Sequence, residues 1–520
     1  MKKRFNTTGV CVPRKHYMVN IENKLNEIIE LIDNECYFTI NRPRQYGKTT
    51  TLTQLDNLLK EQYIMISISF EGIGDLVFKE EHDFVKAFVE IISDSLAFEY
   101  EEESRKILNL GKNIKDIKNL SKVITKFTKD CNKEVVLLID EVDKSSNNQL
   151  FLSFIGMLRN KYLAREIGKD YTFKSVILAG VHDVKTLKAK LRSNETAKYN
   201  SPWNIAVDFN VDMSFSSKEI STMLQEYVTE KNITMDVDKI SDELHFYTSG
   251  YPFLVSKLCQ IIDERIYDEN KKCWNEDYVT KAVKILNEET NTLFESLVKN
   301  LENREELYNL TKRILIDGEV IIFNPLDPVI SIGLTYGIFK RGKYGVEIGN
   351  KIFEEIIYNY MLSKIRTSTG KMSLYNFKDN FLREDGSLDI EKILRRFMQF
   401  MKEQYSGKNE EFLETHGRLL FLAFIKPIIN GVGFDFKEVQ ISEEKRLDIV
   451  ITYNSFKYII EMKIWRGKKY HEKGIKQLCD YLDIHDLDKG YLVIFNFNKE
   501  KEYKAEEINT DNKNIFSVFV

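Results

Sequence analysis

The first 215 residues contain short apolar runs separated by segments in which apolar residues recur at helical spacing. The apolar runs are typical of buried strands; the first begins at Phe38, and the others lie at 64–70, 134–141 and 173–180. The helical segments cover about 21–34, 82–99 and 115–130, and a further strand is expected near 205–212. Strands that alternate with helices predict an α/β fold with a parallel sheet.

Helical spacing dominates from about 216 to 300, where Gly250-Tyr251-Pro252 forms a turn and the proline begins the next helix. Residues 303–364 then predict a helix, a strand at 319–323, a strand at 336–340, a glycine-containing hairpin and another helix. This order of elements is that of a winged-helix module.

A polar stretch at 366–373, rich in Gly, Ser and Thr, is the clearest linker signal in the chain. Beyond it, helices are predicted at about 388–405 and 409–429, followed by strands at 446–452 and 457–464. The two strands predict a β-hairpin in a separate C-terminal domain.

Composition narrows the class of protein. The chain has 520 residues, which is enough for about three domains. With 43% hydrophobic and 30% charged residues it is an ordinary globular chain, neither disordered nor fibrous. The formal net charge of −4 provides no overall attraction to nucleic acid or anionic membrane. Any such affinity therefore has to come from a local patch.

The cysteines are widely scattered, with no C-x-x-C pair and no histidines at zinc spacing. They lie at positions 11, 36, 131, 259, 273 and 479. This pattern predicts free thiols in a reducing compartment. The sequence has no run of about 18 apolar residues and no apolar signal segment after its basic start. We therefore expect a cytoplasmic protein with no membrane attachment.

The residues Gly47-Lys48-Thr49 lie between a predicted strand and a predicted helix, where backbone N–H groups and the helix dipole favour phosphate. Lys48 is expected to bind the β- and γ-phosphates of a nucleoside triphosphate, and Thr49 to bind Mg²⁺. The same loop contains Arg44, Gln45, Tyr46 and Thr50, which we expect to contact the nucleotide. The pattern G-x-x-x-x-G-K-[ST] has its first glycine at the position of Arg42, so the loop has to turn without it.

The strand at 134–141 ends in Asp140-Glu141, so two carboxylates follow a continuously apolar run. Asp140 is expected to hold Mg²⁺ through water, and Glu141 to orient or deprotonate an attacking water. A strand followed by a polar helix cap is the alternative interpretation. Combined with the upstream Gly-Lys-Thr, the pair predicts an NTPase. His182 or Asp183, after the strand at 173–180, is a candidate sensor of the γ-phosphate.

The strand–GKT–helix, the LLIDE and LAGV strands and the late Gly250-Tyr251-Pro252 together resemble the AAA-like, STAND-type ATPases over about residues 1–300. The resemblance implies that Pro252 contacts the adenine and that ATP is the nucleotide. In that group, winged-helix modules more often transmit the nucleotide state or contact protein partners, including other copies of the chain, than bind DNA. No residue of this chain is identified as an arginine finger.

The predicted C-terminal hairpin holds a second group of charged residues. Glu461 and Lys463 are two residues apart and share one face of their strand, and Asp448 lies on the neighbouring strand. Because carboxylates among Ile and Val are costly to bury unless they share a ligand, Asp448 and Glu461 are expected to bind a divalent metal. Mg²⁺ fits best and Mn²⁺ is an alternative. Lys463 is expected to activate water and stabilise charge on a phosphate that is being cleaved.

The spacing D-x₁₂-E-x-K resembles the PD-(D/E)XK nuclease superfamily over about residues 385–500. The resemblance implies a further helical acid, best matched by Glu414 with Glu411 as the second choice, and a catalytic role for Gln477, which lies one turn before Tyr481. A local basic patch follows the hairpin, with Trp465 and Tyr470 interleaved, as is typical of phosphate-tracking surfaces. Its basic residues are Lys463, Arg466, Lys468, Lys469, Lys473 and Lys476. The alternative is a salt-bridged hairpin in an inactive, nuclease-like scaffold.

The expected fold is a P-loop NTPase parallel sheet with a helical lid and a winged-helix module, followed by an α/β nuclease-like domain. The predicted parts are an ATPase core at 1–213, a lid at 214–302, a winged-helix-like module at 303–365, a linker at 366–384 and a nuclease-like domain at 385–520.

We expect a cytoplasmic ATPase that regulates a metal-dependent nuclease acting on nucleic acid, with DNA as the expected substrate, in defence or mobile-element biology. One alternative is a nucleotide-switched scaffold with an inactive nuclease-like domain. Another is a DNA-binding regulator that acts through residues 303–364.

Overall fold

The computed structural model of the chain forms two compact units. The first contains Met1–Asn300, Pro325–Lys340 and Gly349–Ile352, and the second contains Leu301–Asn324, Arg341–Ile348 and Phe353–Val520. The structure describes residues 2–71, 73–74, 76–144, 149–181, 203–268, 272–315, 319–369, 381–405, 417, 420–425, 428, 434–437, 449–453, 456–465, 467–496, 502–510 and 513–520.

The first unit is built on a four-stranded sheet in the order β1-β4-β3-β2, and all three strand pairs are parallel. The strands are β1 (Phe38–Asn41), β2 (Ile64–Ser69), β3 (Val135–Asp140) and β4 (Ser175–Gly180). Its helices are α1 (Glu22–Asp33), α2 (Lys48–Leu59), α3 (Glu81–Leu96), α4 (Glu101–Gly111), α5 (Ile117–Asp130) and α6 (Gln149–Glu166). The predicted parallel α/β fold is confirmed for this part of the chain.

Hydrophobic residues cover both faces of this sheet, as parallel strands require. One face packs on α3, α5 and α6 through residues such as Ile66, Phe88 and Phe154. The other packs on α1 and α2 through Ile28, Leu55 and Leu138. β3 lies between two other strands and is buried along its whole length, so its carboxyl end delivers Asp140 to the edge of a rigid layer.

Two expectations for this unit are corrected. Residues 205–212 form no strand and make one bridge, between Val207 and Phe38. Their alternation of apolar and polar residues suits an extended edge segment beside β1, and the pairing extends no further. The helix expected at 82–99 ends at Leu96, and the separate helix α4 follows it.

The predicted helical region after the sheet consists of α7 (Ser217–Lys231), α8 (Val237–Thr248), α9 (Pro252–Ile261) and α10 (Glu276–Glu288). Two-residue strands β5 (Thr234–Met235) and β6 (Cys273–Trp274) pair in parallel within it. Pro252 occupies the first turn of α9, where its missing N–H costs nothing. Gly250, two residues before Pro252, has a left-handed backbone with φ +71°.

The next elements are α11 (Thr292–Glu302), α12 (Glu305–Leu315), α13 (Pro328–Thr335), β7 (Phe339–Arg341), β8 (Val346–Ile348) and α14 (Lys351–Thr369). The strand expected at 319–323 is not formed, although Ile321 accepts a hydrogen bond from Val346. The strand expected at 336–340 begins only at Phe339, because the unpredicted helix α13 and its closing turn occupy the preceding residues. The predicted module at 303–365 contributes residues to both compact units.

The second unit contains a six-stranded mixed sheet in the order β13-β14-β12-β11-β10-β9. The strands are β9 (Phe434–Lys437), β10 (Ile449–Tyr453), β11 (Phe456–Ile464), β12 (Lys489–Phe495), β13 (Ala505–Thr510) and β14 (Lys513–Phe519). β10 and β11 form the expected antiparallel hairpin, whereas β9 and β12–β14 were not predicted.

Helix α15 (Ile390–Tyr405) and helix α16 (Lys468–Ile484) also belong to the second unit. Ile459 and Leu492 of the sheet pack with Leu478 and Leu482 of α16 in one cluster. Because side chains alternate along a strand, Glu461 and Lys463 share the face of Ile459. They therefore lie on the face of the sheet that α16 covers.

In the described ranges, no helix has both the length and the apolarity that a membrane crossing requires.

Candidate nucleotide site and buried carboxylate

The loop between β1 and α2 turns through two left-handed residues. Gln45 has φ +55° and Gly47, which caps α2, has φ +80°. Arg42 is not among the residues with positive φ, so its position does not require glycine. The loop therefore reaches the start of α2 in spite of its departure from the usual pattern.

The side chain of Arg42 lies along the neighbouring extended segment. Its guanidinium donates to the carbonyl oxygens of Asn41 at 2.9 Å and Val211 at 2.6 Å. It also lies 5.2 Å from the centre of the Phe209 ring. Arg42 thus ties the first residues of the loop to the segment beside β1.

Lys48 and Thr49 open α2 at the carboxyl end of the sheet. The Lys48 ammonium is buried and donates to the carbonyl oxygens of Arg42 at 3.1 Å and Pro43 at 3.0 Å. Burial lowers its pKa. The Thr49 hydroxyl donates to Oδ2 of Asp140 at 2.5 Å. The two expected magnesium ligands of this site are therefore adjacent.

Glu141 follows the end of β3 in a left-handed conformation, with φ +54°, which is unusual for a residue with a side chain. Its backbone N–H donates to Oδ1 of Asp140 at 2.8 Å. Burial, and then the charge of Asp140, raise the pKa of the Glu141 carboxyl. A carboxyl with a raised pKa is a better proton acceptor, as a general base requires.

Asp143 is a residue that the sequence reasoning missed. One of its carboxylate oxygens accepts the backbone N–H of Val181, directly after β4. It thereby links the ends of β3 and β4 next to Glu141. Its position three residues after Asp140 was the only signal in the sequence.

A cavity of about 390 Å³ lies beside the loop. Gln45, Tyr46, Gly47 and Thr50 line it from the loop side and Pro252 from the start of α9. Asn6, Thr7, Thr8, Gly9 and Cys11 of the N-terminal segment also line it. The Cys11 backbone N–H donates to the Thr50 hydroxyl at 3.2 Å. The cavity thus joins the loop, the N-terminal segment and the Gly-Tyr-Pro turn.

Tyr251 links the Gly-Tyr-Pro turn to the loop. Its ring meets the ring of Tyr46 edge to face, with centroids 4.7 Å apart. Its hydroxyl donates to the backbone carbonyl of Arg44, whose side chain is exposed. Tyr251 therefore positions the turn against the loop.

These residues fit a magnesium–nucleoside triphosphate. Thr49 and Asp140 supply the hard oxygen ligands that Mg²⁺ prefers. Lys48 and the N-terminus of α2 supply the positive charge that phosphates need. The enclosed cavity is beside them, within the usual size range for small-ligand sites.

In the second unit, Glu461 is fully buried and its Oε1 lies 2.7 Å from Nζ of Lys463. A Cβ atom added to Gly474 of α16 would lie 3.6 Å from the Lys463 side chain, so this helix passes close to the pair. Burying a carboxylate is costly unless it is paired or binds a ligand. A half-buried lysine thus accompanies a fully buried glutamate.

The other expected members of this site are described only in part. Asp448, Glu414 and Glu411 lie outside the described residues, as do His182 and Asp183. Ile449, which follows Asp448 in the sequence, pairs with Ile460, which precedes Glu461. Gln477 and the buried Tyr481 lie on α16. Within the described part of the chain, no group of three or more His, Cys, Asp or Glu residues is arranged to hold a metal.

Several known structures are similar to part of this chain. The chain is similar to the Walker-type ATPase PABY2304 of Pyrococcus abyssi, with 13% identity and a TM-score of 0.48 over 68% of this chain and 99% of that one. It is also similar to the Holliday junction branch migration motor RuvB of Thermotoga maritima, with 13% identity and a TM-score of 0.33 over 65% of this chain and 95% of that one.

The Aeropyrum pernix ORC1 protein in complex with DNA matches with 12% identity and a TM-score of 0.30, over 67% of this chain and 94% of that one. A search of curated proteins found no match. The AAA-like domain model matches residues 14–332, more than half of the chain, and the protein therefore belongs to the AAA-like domain family and carries a P-loop ATPase-like domain.

Proposed function

We propose that the first unit binds ATP with Mg²⁺ and hydrolyses it. The observation that carries this proposal is the 2.5 Å contact between Thr49 and Asp140, beside the buried ammonium of Lys48. A hydroxyl, a carboxylate and an ammonium converge at the N-terminus of α2, where backbone N–H groups favour phosphate. This combination suits a triphosphate better than any uncharged ligand.

Each residue has a definite task in this proposal. Lys48 leaves the carbonyls of Arg42 and Pro43 to bind the β- and γ-phosphates, and Thr49 and Asp140 hold the metal, Asp140 through water. Mg²⁺ held there would supply positive charge to offset that of the phosphates. Glu141 orients the attacking water and accepts its proton. Pro252 and the N-terminal segment enclose the adenine in the 390 Å³ cavity.

The test measures ATP affinity by calorimetry and phosphate release by a coupled assay. Lys48→Ala should lose measurable binding and turnover. Lys60→Ala should keep both, because Lys60 lies at the opposite end of the same helix, where it is partly exposed and pairs with Glu99. Unchanged ATP binding by Lys48→Ala would remove the proposal.

We further propose that the second unit is a metal-dependent nuclease that cuts nucleic acid, with DNA as the expected substrate. The fully buried Glu461 beside Lys463 favours this function, because a bound cation would offset the cost of burying the carboxylate. Asp448 would complete the metal site. Glu414 and Gln477 would have the supporting roles that the superfamily pattern implies.

Lys463 would stabilise the negative charge that develops on the phosphate being cleaved. Incubation of the full chain with plasmid and Mg²⁺ or Mn²⁺ tests this. Lys463→Ala should abolish cleavage, whereas Lys457→Ala, an exposed lysine on the same strand, should retain it. Absence of metal-dependent cleavage by the parent protein would favour the scaffold interpretation.

The proposed biological arrangement is that ATP binding regulates this nuclease, in defence or mobile-element biology, in the cytoplasm. Residues 303–365, as a winged-helix-like module, would transmit the nucleotide state or contact a protein partner. DNA binding that depends on residues 303–365 and is indifferent to Asp448→Ala would support the DNA-binding regulator instead.

A further inference from the structure

The solvent side of α5 in the first unit is a row of lysines. Lys118, Lys122, Lys126 and Lys129 are all exposed. The opposite side of the helix is buried in the core of the sheet through Leu120, Val123, Ile124 and Phe127.

The lysines are aligned along the helix axis. With about 100° of rotation per residue, the four side chains fall within an arc of about 80°, centred opposite the buried residues. Their Cα atoms are about 5–6 Å apart along the axis and together span about 16 Å. Lys112 and Lys115, also exposed, precede the helix and extend the positive surface.

Two acids of other segments contact α5: Glu81 accepts the backbone N–H of Ile117, and Asp170, which pairs with Lys161, accepts the hydroxyl of Thr125. Among the described residues, Lys118, Lys122 and Lys126 form no ion pair with an aspartate or glutamate. The nearest acids along the chain are Asp116 and Asp130, at the two ends of the helix. Like charges four residues apart repel each other on a helix, so the row is not explained by helix stability.

An exposed aromatic ring lies at one end of the row. Nζ of Lys129 is 5.3 Å from the centre of the Tyr171 ring, and Tyr171 is 54% exposed. Exposed aromatic rings beside basic residues are stacking platforms for unpaired bases. A membrane surface is a poorer partner, because the apolar face of α5 is already used in the protein core.

We propose that the lysine row of α5 binds the phosphodiester backbone of a nucleic acid, so that the ATPase-like unit contacts nucleic acid directly. The row is a linear array of positive charge that complements a linear array of phosphates, and it recognises no base sequence. This surface includes none of the basic residues of α16. Its binding does not depend on whether the second unit cleaves.

The test is fluorescence anisotropy of labelled duplex and single-stranded oligonucleotides over a series of salt concentrations, with the full chain in EDTA. EDTA prevents metal-dependent cleavage, so failure of the nuclease proposal would not affect this measurement. Lys118→Gln/Lys122→Gln/Lys126→Gln should bind about tenfold or more weakly, and the salt slope should fall by about 3, one for each lost phosphate contact.

A control with the same loss of charge replaces exposed lysines of other helices, as Lys218→Gln/Lys281→Gln/Lys284→Gln, and should leave the affinity nearly unchanged. Lys118→Arg/Lys122→Arg/Lys126→Arg keeps the three charges and should bind as tightly as the parent, which provides the test if the glutamine variant misfolds. Equal affinity and salt slope for the two glutamine variants would overturn the proposal. So would binding of the parent protein to anionic phosphatidylserine vesicles but not to oligonucleotides.

Discussion

At the scale of single residues, Arg42 best shows what the structure adds to the sequence. The loop pattern alone indicated a missing glycine. The structure requires left-handed backbone at Gln45 and Gly47, but not at Arg42. The proximity of Thr49 and Asp140 could be predicted from the sequence, because each follows a strand of the same parallel sheet at its carboxyl end. The Arg42 contact with Val211 joins residues far apart in sequence, so no local pattern contained it.

Replacing Arg42 by the glycine of the usual pattern should therefore destabilise the fold. Arg42→Gly removes hydrogen bonds to two backbone carbonyls and adds the backbone entropy of glycine, worth about 0.5–1 kcal/mol. We expect the free energy of unfolding to fall by about 3–4 kcal/mol in urea titrations, since each of the two lost hydrogen bonds to a charged group is worth about 1.5 kcal/mol. A glycine variant as stable as the parent would contradict the anchoring role.

Glu141 should set the acid limb of the ATPase pH profile. A general base acts only when deprotonated, and burial with the neighbouring Asp140 raises the pKa of Glu141. Activity should therefore be present above that raised pKa and be lost as the pH falls through it, at a higher pH than for an ordinary glutamate. Initial rates of phosphate release against pH provide the measurement.

Glu141→Gln should retain ATP binding and lower turnover by about 10²–10⁴-fold, the usual range for loss of a general base. Glu61→Gln, which alters an exposed acid before β2, is the matched control. Turnover by Glu141→Gln within twofold of the parent would exclude the assigned role.

At the scale of elements, the hydrophobic pattern was sufficient for strands covered on both faces and for helices with one buried face. β1–β4 and helices α1, α2 and α5 were predicted within a few residues for this reason. The pattern failed at 205–212 and 319–323, because apolar alternation shows that a segment can pair but not that a partner edge continues beside it. Strands β12–β14 were not predicted, because no sequence motif lies beside them.

The Gly-Tyr-Pro turn offers a test of element packing. A Cβ atom on Gly250 would lie 2.0 Å from the carbonyl oxygen of Phe215, and the residue has φ +71°. Gly168 has a similar φ of +68° but nothing within 4 Å of its added Cβ. Both alanine variants lose about 1 kcal/mol or more from backbone strain, whereas only Gly250→Ala also has to move backbone.

We therefore expect Gly250→Ala to lower the melting temperature well below that of Gly168→Ala. It should also weaken ATP binding, because Tyr251 and Pro252 follow directly. Equal melting temperatures would show that the Phe215 contact is readily relieved.

At the scale of the whole molecule, the chain combines an AAA-like unit with a second unit whose mixed sheet carries the buried Glu461. Sequence motifs identified a candidate chemical site in each. They could not indicate the division into units, since residues 301–352 contribute to both in alternating segments and three-dimensional contacts define that division. We propose that ATP binding to the first unit controls the cleavage of nucleic acid by the second unit.

The most direct test is the initial rate of plasmid cleavage by the intact chain in Mg²⁺, measured with and without ATP for the parent and for Lys48→Ala. We expect ATP to change the cleavage rate of the parent several-fold. Lys48→Ala should cleave at the same rate with and without ATP, and Lys463→Ala should not cleave. A parent protein whose cleavage rate is the same with and without ATP, or that does not cleave at all, would contradict this proposal.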